Sequence, residues 1–205
     1  MKLKNNIKII FWDFDGVIIN SNATRDKGFS EVLKDFPKDQ VDSLLEYHKI
    51  NGGLSRYVKF RYFFEEILKK EITENEILEL ANRFSIIMRD LLVDPKLLIT
   101  ETMEFIEKNY TKYKMHIVSG SDGNELRYLC KELAIDEYFL SIHGSPRPKL
   151  NIVNKLILDN NYNSKDCILI GDSINDFEAA EENKIYFKAY NNENLEKYTN
   201  IKFEI

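Results

Sequence analysis

The chain has 205 residues, 43% of them hydrophobic, and a formal net charge of -5 from 29 basic and 34 acidic side chains. That length and apolar content suit one sizeable domain, or a core carrying a smaller insert, and charges interspersed without a basic block exclude nucleic acid as a main partner. Two cysteines, Cys130 and Cys167, form no CxxC pair or metal spacing; with no signal-type or span-length apolar run, a soluble, cytoplasmic, membrane-free protein with reduced thiols is expected.

In chain order, Ile7, Ile9, Ile10, Phe11 and Trp12 form a short apolar run ending at acids, the pattern of a parallel strand buried on both faces. Between Ile19 and Ile99 no strand-like run stands out and helical periodicity dominates. One helix is expected over Leu54–Lys69, burying Tyr57, Val58, Phe60, Phe64, Ile67 and Leu68. A second carries Ile77, Leu80, Ala81, Phe84, Ile87, Met88 and Leu91 behind a capping box of Thr73 and Glu76. Asp94-Pro95 breaks this region. Strand-like runs then recur at Met115–Val118, Phe139–Ile142, Ile168–Ile170 and Ile185–Phe187, with helical patterns at Glu125–Leu133 and about Leu150–Asn160. The alternation predicts an α/β fold with a Rossmann-like parallel sheet and an inserted α-helical cap domain over 19–99, the core comprising 1–18 and 100–205. The Asn-rich stretch near Asn191 reads as an exposed connection, and His48, His116 and His143 as structural or surface residues.

Open α/β sheets bind ligands at the carboxyl ends of their strands. There the chain places Asp13, Asp15 and Gly16; then Ser119, Gly120 and Ser121; then Lys149; then Asp172 and Asp176 within GDSIND. Alternate side chains of an extended chain point the same way, so Asp13 and Asp15 are expected to face each other, with one pKa raised or a cation required. An EF-hand loop fails at Val17, which offers no ligand oxygen at the fifth position.

The ordered set DFDGV (13–17), IVSGS (117–121), Lys149 and GDSINDFEAA (171–180) resembles the motifs of the haloacid dehalogenase-like superfamily. The position of the helical insert is similar to the cap of its phosphoglycolate phosphatase and β-phosphoglucomutase subgroup. The resemblance implies a Mg²⁺-dependent phosphatase of a small phosphorylated metabolite. Asp13 would be the nucleophile that forms an aspartyl phosphate, and Asp15 the general acid and base. The metal would be held by Asp13, Asp172 and a backbone carbonyl at Asp15, with Asp176 behind them or acting through water. Ser119, Gly120 and Lys149 would hold the phosphate. The segment NGGLSRYVKF is similar to a cap segment of β-phosphoglucomutase and makes Arg56, with Ser55, the expected substrate residues. Asp122 is expected to repel a second phosphate and favour hydrolysis over the alternative, a phosphomutase; a non-catalytic binding protein on this fold is the alternative from another class. Departures from the pattern are Trp12 before the first acid, no proline straight after Lys149, and Asn183-Lys184 where Ala-Gly is common.

Overall fold

The computed structural model describes residues 6–205. Five strands form one all-parallel sheet: β1 (Ile9–Trp12), β2 (Lys114–Asp122), β3 (Ser141–Ser145), β4 (Cys167–Gly171) and β5 (Tyr186–Ala189), in the order β3-β2-β1-β4-β5. The order reverses beside β1, which opens a crevice at its carboxyl end. Every residue of β1 and β4 is buried, and the period-2 alternation sorts them by face. Ile10, Trp12, Ile168 and Ile170 join one core, with Ile106 and Leu129 from the helices α5 (Thr100–Asn109) and α6 (Gly123–Glu132). Ile9, Phe11 and Leu169 face the other, with Val153 and Ala180 from α7 (Lys149–Asp159) and α8 (Ile174–Glu182). Cys130 and Cys167 are free and buried.

Between β1 and α5 the described residues form no strand but four α-helices, α1 (Asn22–Val32), α2 (Lys38–Ile50), α3 (Arg56–Tyr62) and α4 (Glu74–Leu91). Phe29, Phe60 and Phe84 pack together at their centre, with Phe29 and Phe84 ring centroids 4.5 Å apart. The chain leaves and re-enters the sheet region side by side: Asn20 N–H donates to the Leu97 carbonyl and Ile99 N–H to the Ile18 carbonyl, at 2.8 and 2.9 Å. The capping box predicted at Thr73 and Glu76 is present. No helix of the described residues is long and apolar enough to cross a membrane.

Two element readings shift. The third strand begins at Ser141, not Phe139, because β3 lies at the sheet edge, half-buried, and an edge strand does not need an apolar run. The helix expected over Leu54–Lys69 starts at Arg56 and passes at Phe63 into a wider π-type turn over Phe63–Ile67. The inward face of this helix is Arg56, Lys59, Phe60 and Phe63, at the i, i+3, i+4, i+7 spacing of an α-helix, so Phe63 is inside and Val58 is 44% exposed.

Candidate active site

Beyond Trp12 the chain leaves the extended path, and Asp13 and Asp15 part company. Asp13 is buried; its Oδ1 accepts from Phe14 N–H at 2.8 Å and from Lys149 Nζ at 2.9 Å. Asp15 Oδ1 accepts from Ser21 Oγ and from Arg25 Nε at 2.9 Å, and its Oδ2 accepts from Ser121 Oγ at 2.5 Å. The two carboxylates line one cavity but take different partners. The crowding around Asp13 comes from across the crevice: carboxylate oxygens of Asp13, Asp172 and Asp176 lie within 4.8 Å of one another. Gly16 turns the chain at φ +74°, where a Cβ would stand 2.0 Å from Asp172 Oδ2, so both the backbone angle and the space demand glycine.

The electrostatics follow from these neighbours. Burial first, then Asp176, push the Asp13 carboxyl well above the ordinary carboxylate range, against the pull of Lys149. Burial and Asp176 likewise raise Asp172 to about 7. Asp15 goes the other way: burial would raise it, but Arg25 and the hydrogen bonds from Ser121 and Ser21 outweigh that and hold it at about 2. Lys149, at the start of α7, is also bonded to Asp176 Oδ1 and stays protonated between its two carboxylates. Asp176 spends Oδ2 on Ser173, from N–H at 3.0 Å and Oγ at 2.6 Å, which fixes the start of α8. Asp13 and Asp172 keep the spare lone pairs, since Asp172 accepts only a 3.4 Å contact from Asn22. Such a set, hard oxygens that cannot all ionise unaided, fits a divalent cation, with free oxygens for it on Asp13 and Asp172 while Asp176 is taken up by Ser173 and Lys149.

A cavity of about 40 Å³ opens beside Asp13, Asp15, Ser119, Gly120 and Asp172, and the helical insert closes it with Arg25, His48, Arg56 and Lys59. The insert comes close at Gly120: a Cβ there would meet the Gly53 carbonyl oxygen at 2.2 Å. Arg56 lines the cavity, but its guanidinium is already held by Glu125, at 2.6 and 2.8 Å, and by Ser85 at 2.7 Å. Ser55 caps its own helix by accepting from Val58 N–H and lies outside the cavity. Asp122 is likewise a helix cap, accepting from Asn124 and Glu125 N–H and from Tyr57 Oη at 2.7 Å. It does not line the cavity.

Several residues here escaped the sequence reading. Arg25 joins Asp15 to Glu125, which α6 contributes with no exposed surface. His48 lines the cavity, whereas His116 is structural, bonded to Ser141 at 2.7 Å and Tyr162 at 3.0 Å. In the Asn-rich stretch, Asn191 and Asn192 donate to the carbonyls of Gly16 and Asp172 at 2.8 and 2.7 Å, tying both acidic loops together.

The family model for haloacid dehalogenase-like hydrolases matches residues 9–190; the chain belongs to that family and is an enzyme. It is similar to a phosphoglycolate phosphatase of Colwellia psychrerythraea, 21% identical over 187 residues that cover 88% of this chain and 82% of that protein. Among solved structures it is similar to β-phosphoglucomutase from Clostridium difficile (TM-score 0.75, 17% identity, 97% of this chain and 91% of the other). It also resembles CbbY from Rhodobacter sphaeroides in complex with xylulose-(1,5)bisphosphate (TM-score 0.73, 13% identity, 92% and 89%).

Proposed function

We propose that the protein is a Mg²⁺-dependent phosphatase that hydrolyses a small phosphorylated metabolite through an aspartyl phosphate on Asp13, with residues 19–99 acting as the cap. The observation that carries this reading is Asp13 itself: a buried carboxylate beside Lys149, crowded by two further acids, at the mouth of a cavity closed by a helical insert. Asp13, Asp172 and the Asp15 backbone carbonyl would hold Mg²⁺, which when bound offsets the repulsion between an anionic nucleophile and an anionic ester.

In this reading an Asp13 carboxylate oxygen attacks phosphorus and the ester P–O bond breaks. Lys149 and Ser119 hold phosphate oxygens in place. The leaving alkoxide takes a proton from Asp15, and in the second half Asp15 accepts a proton from the water that attacks the phosphoaspartate. Asp15 is ionised as it stands, which suits the second half. Proton donation in the first half requires it to exchange Arg25 and Ser21 for the leaving oxygen.

Inorganic phosphate released from a panel of phosphate esters tests the reading. EDTA is expected to abolish release and Mg²⁺ to restore it, while Ca²⁺, larger and looser in its coordination, substitutes poorly. Asp172→Ala should raise the Mg²⁺ concentration needed for half-maximal rate by about tenfold or more; an unchanged requirement would remove Asp172 from the metal site. Gly120→Ala should push the Gly53 turn off the core, an overpacking cost of about 1–3 kcal/mol, and lower kcat/KM about tenfold. Full activity in that variant would mean that the Gly53–Gly120 approach is not made during turnover.

A further inference from the structure

The charges lining the cavity away from the phosphoryl end do not balance. Three cations line it there, Arg25, Arg56 and Lys59, with Asp15; Glu125 stands behind the two arginines, and Asp26, outside the cavity, lies 3.9 Å from His48. Both arginines are matched: Arg25 spans Asp15 and Glu125, and Arg56 forks onto Glu125. Lys59 is the unmatched one. It is 2% exposed, its Nζ donates to the Gly52 carbonyl at 2.9 Å, and among the described residues it forms no salt bridge. A buried ammonium without a counter-ion is costly, and long side chains ordinarily carry their charge out to water. This one is held inward, toward the cavity.

A second group in the same wall is incomplete. His48, 9% exposed, packs its ring against Phe29 at 4.9 Å between centroids. Its Nδ1 is buried with no hydrogen-bond partner, and its Nε2 is 3.9 Å from Asp26 Oδ1, beyond hydrogen-bonding range. Buried polar atoms ordinarily have a partner, and this one lies in a residue that lines the cavity.

We propose that Lys59, with His48 beside it, receives one negative charge on the part of the substrate that remains after phosphate leaves, so that the substrate is a small phosphorylated carboxylic acid. This rests on the phosphatase reading above and goes beyond it by naming the substrate class and the residues that select it. Lys59 is one ammonium without a carboxylate partner, and a single carboxylate on the substrate supplies it. Burial foremost draws the Lys59 ammonium down to about 7, with Arg25 and Arg56 adding to it against Asp15, and a bound carboxylate would hold the proton on.

The test uses two matched pairs of esters, with Mg²⁺ present: 2-phosphoglycolate against 2-hydroxyethyl phosphate, and 3-phosphoglycerate against glycerol 3-phosphate. The acid of each pair should show a kcat/KM at least about tenfold higher, the value of one charge-assisted hydrogen bond, and Lys59→Met should bring that ratio down toward one, mainly through KM for the acids. A lysine that only holds the Gly52 turn would lower both members equally and leave the ratio unmoved, which would overturn the assignment. So would a wild-type protein that releases phosphate from all four esters without preference, or one that prefers ethylene glycol bisphosphate to 2-phosphoglycolate; the phosphatase reading would survive both. If no ester releases phosphate, that reading falls, and calorimetric binding of the same pairs to the wild type decides separately: acids bound about tenfold tighter support Lys59, and equal or absent binding overturns it. The wild-type measurements need no variant to fold.

Discussion

Asp13→Asn protein is expected to release phosphate from every ester at least on the order of 10³-fold more slowly than the wild type, while keeping its fold. An amide has no carboxylate oxygen to bond to phosphorus, and removing the nucleophile from a covalent route removes the route. Two opposing changes should keep the thermal midpoint near that of the wild type. Lys149 loses one of its two carboxylate partners but retains Asp176, while the repulsion among Asp13, Asp172 and Asp176 is relieved. The side-chain oxygen of asparagine can still accept from Phe14 N–H. Circular dichroism and a thermal melt establish the fold, and a phosphate-release assay with Mg²⁺ reads the rate. Substantial turnover by a folded Asp13→Asn protein would sink the covalent mechanism and leave Asp13 as a metal holder alone.

The convergence of Asp13, Ser119, Lys149 and Asp172 was legible in the sequence for a simple reason: each closes a parallel strand or opens the helix after it. Asp13 follows β1, Ser119 lies within the last residues of β2, Lys149 opens α7, and Asp172 follows β4. A sheet buried on both faces writes its strands as apolar runs, so the first polar residues after each run mark one edge. The same logic failed for β3, whose edge position removes the apolar run. The far wall of the cavity left a different trace. Arg25, Arg56, Lys59 and Glu125 each stand four residues before a fully or almost fully buried apolar side chain, namely Phe29, Phe60, Phe63 and Leu129. A charge on the apolar stripe of a helix must find a partner or a ligand. Periodicity read only for hydrophobic positions passes over such residues, as it did Arg25, Lys59 and Glu125, because they count as gaps in the stripe and not as part of it; Arg56 was reached only through the resemblance of its segment to a known cap.

Glu125 turns that observation into the second large prediction. It has no exposed surface, and it receives Arg25 Nη1 at 2.5 Å, Arg56 Nη1 at 2.6 Å and Arg56 Nη2 at 2.8 Å. Burial alone would raise its pKa, but Arg25 and Arg56 reverse that and hold it below the ordinary glutamate value. In Glu125→Ala, Arg25 keeps Asp15, whereas Arg56 is left with Ser85 Oγ and the face of Phe84, 4.5 Å from its guanidinium carbon. Stranding a buried charge in this way costs about 3–5 kcal/mol, and at roughly 2–4 °C per kcal/mol for a chain of this size the melting midpoint should fall by roughly 10 °C. Glu125→Gln, which keeps the shape and one acceptor, should lose less. A folded-state pKa below the unfolded value of about 4.3 gives a stabilisation that is full above that value and disappears as pH falls through the folded one. The gap between wild type and Glu125→Gln should therefore be constant near neutrality and close under acid. The decisive measurement is the double variant Glu125→Leu/Arg56→Met. Apolar side chains of similar volume often replace a buried ion pair without loss, so the double variant should recover most of the stability that Glu125→Leu loses alone. If instead the two losses add, the Arg56–Glu125 pair is not coupled, and another contact must hold the insert against α6.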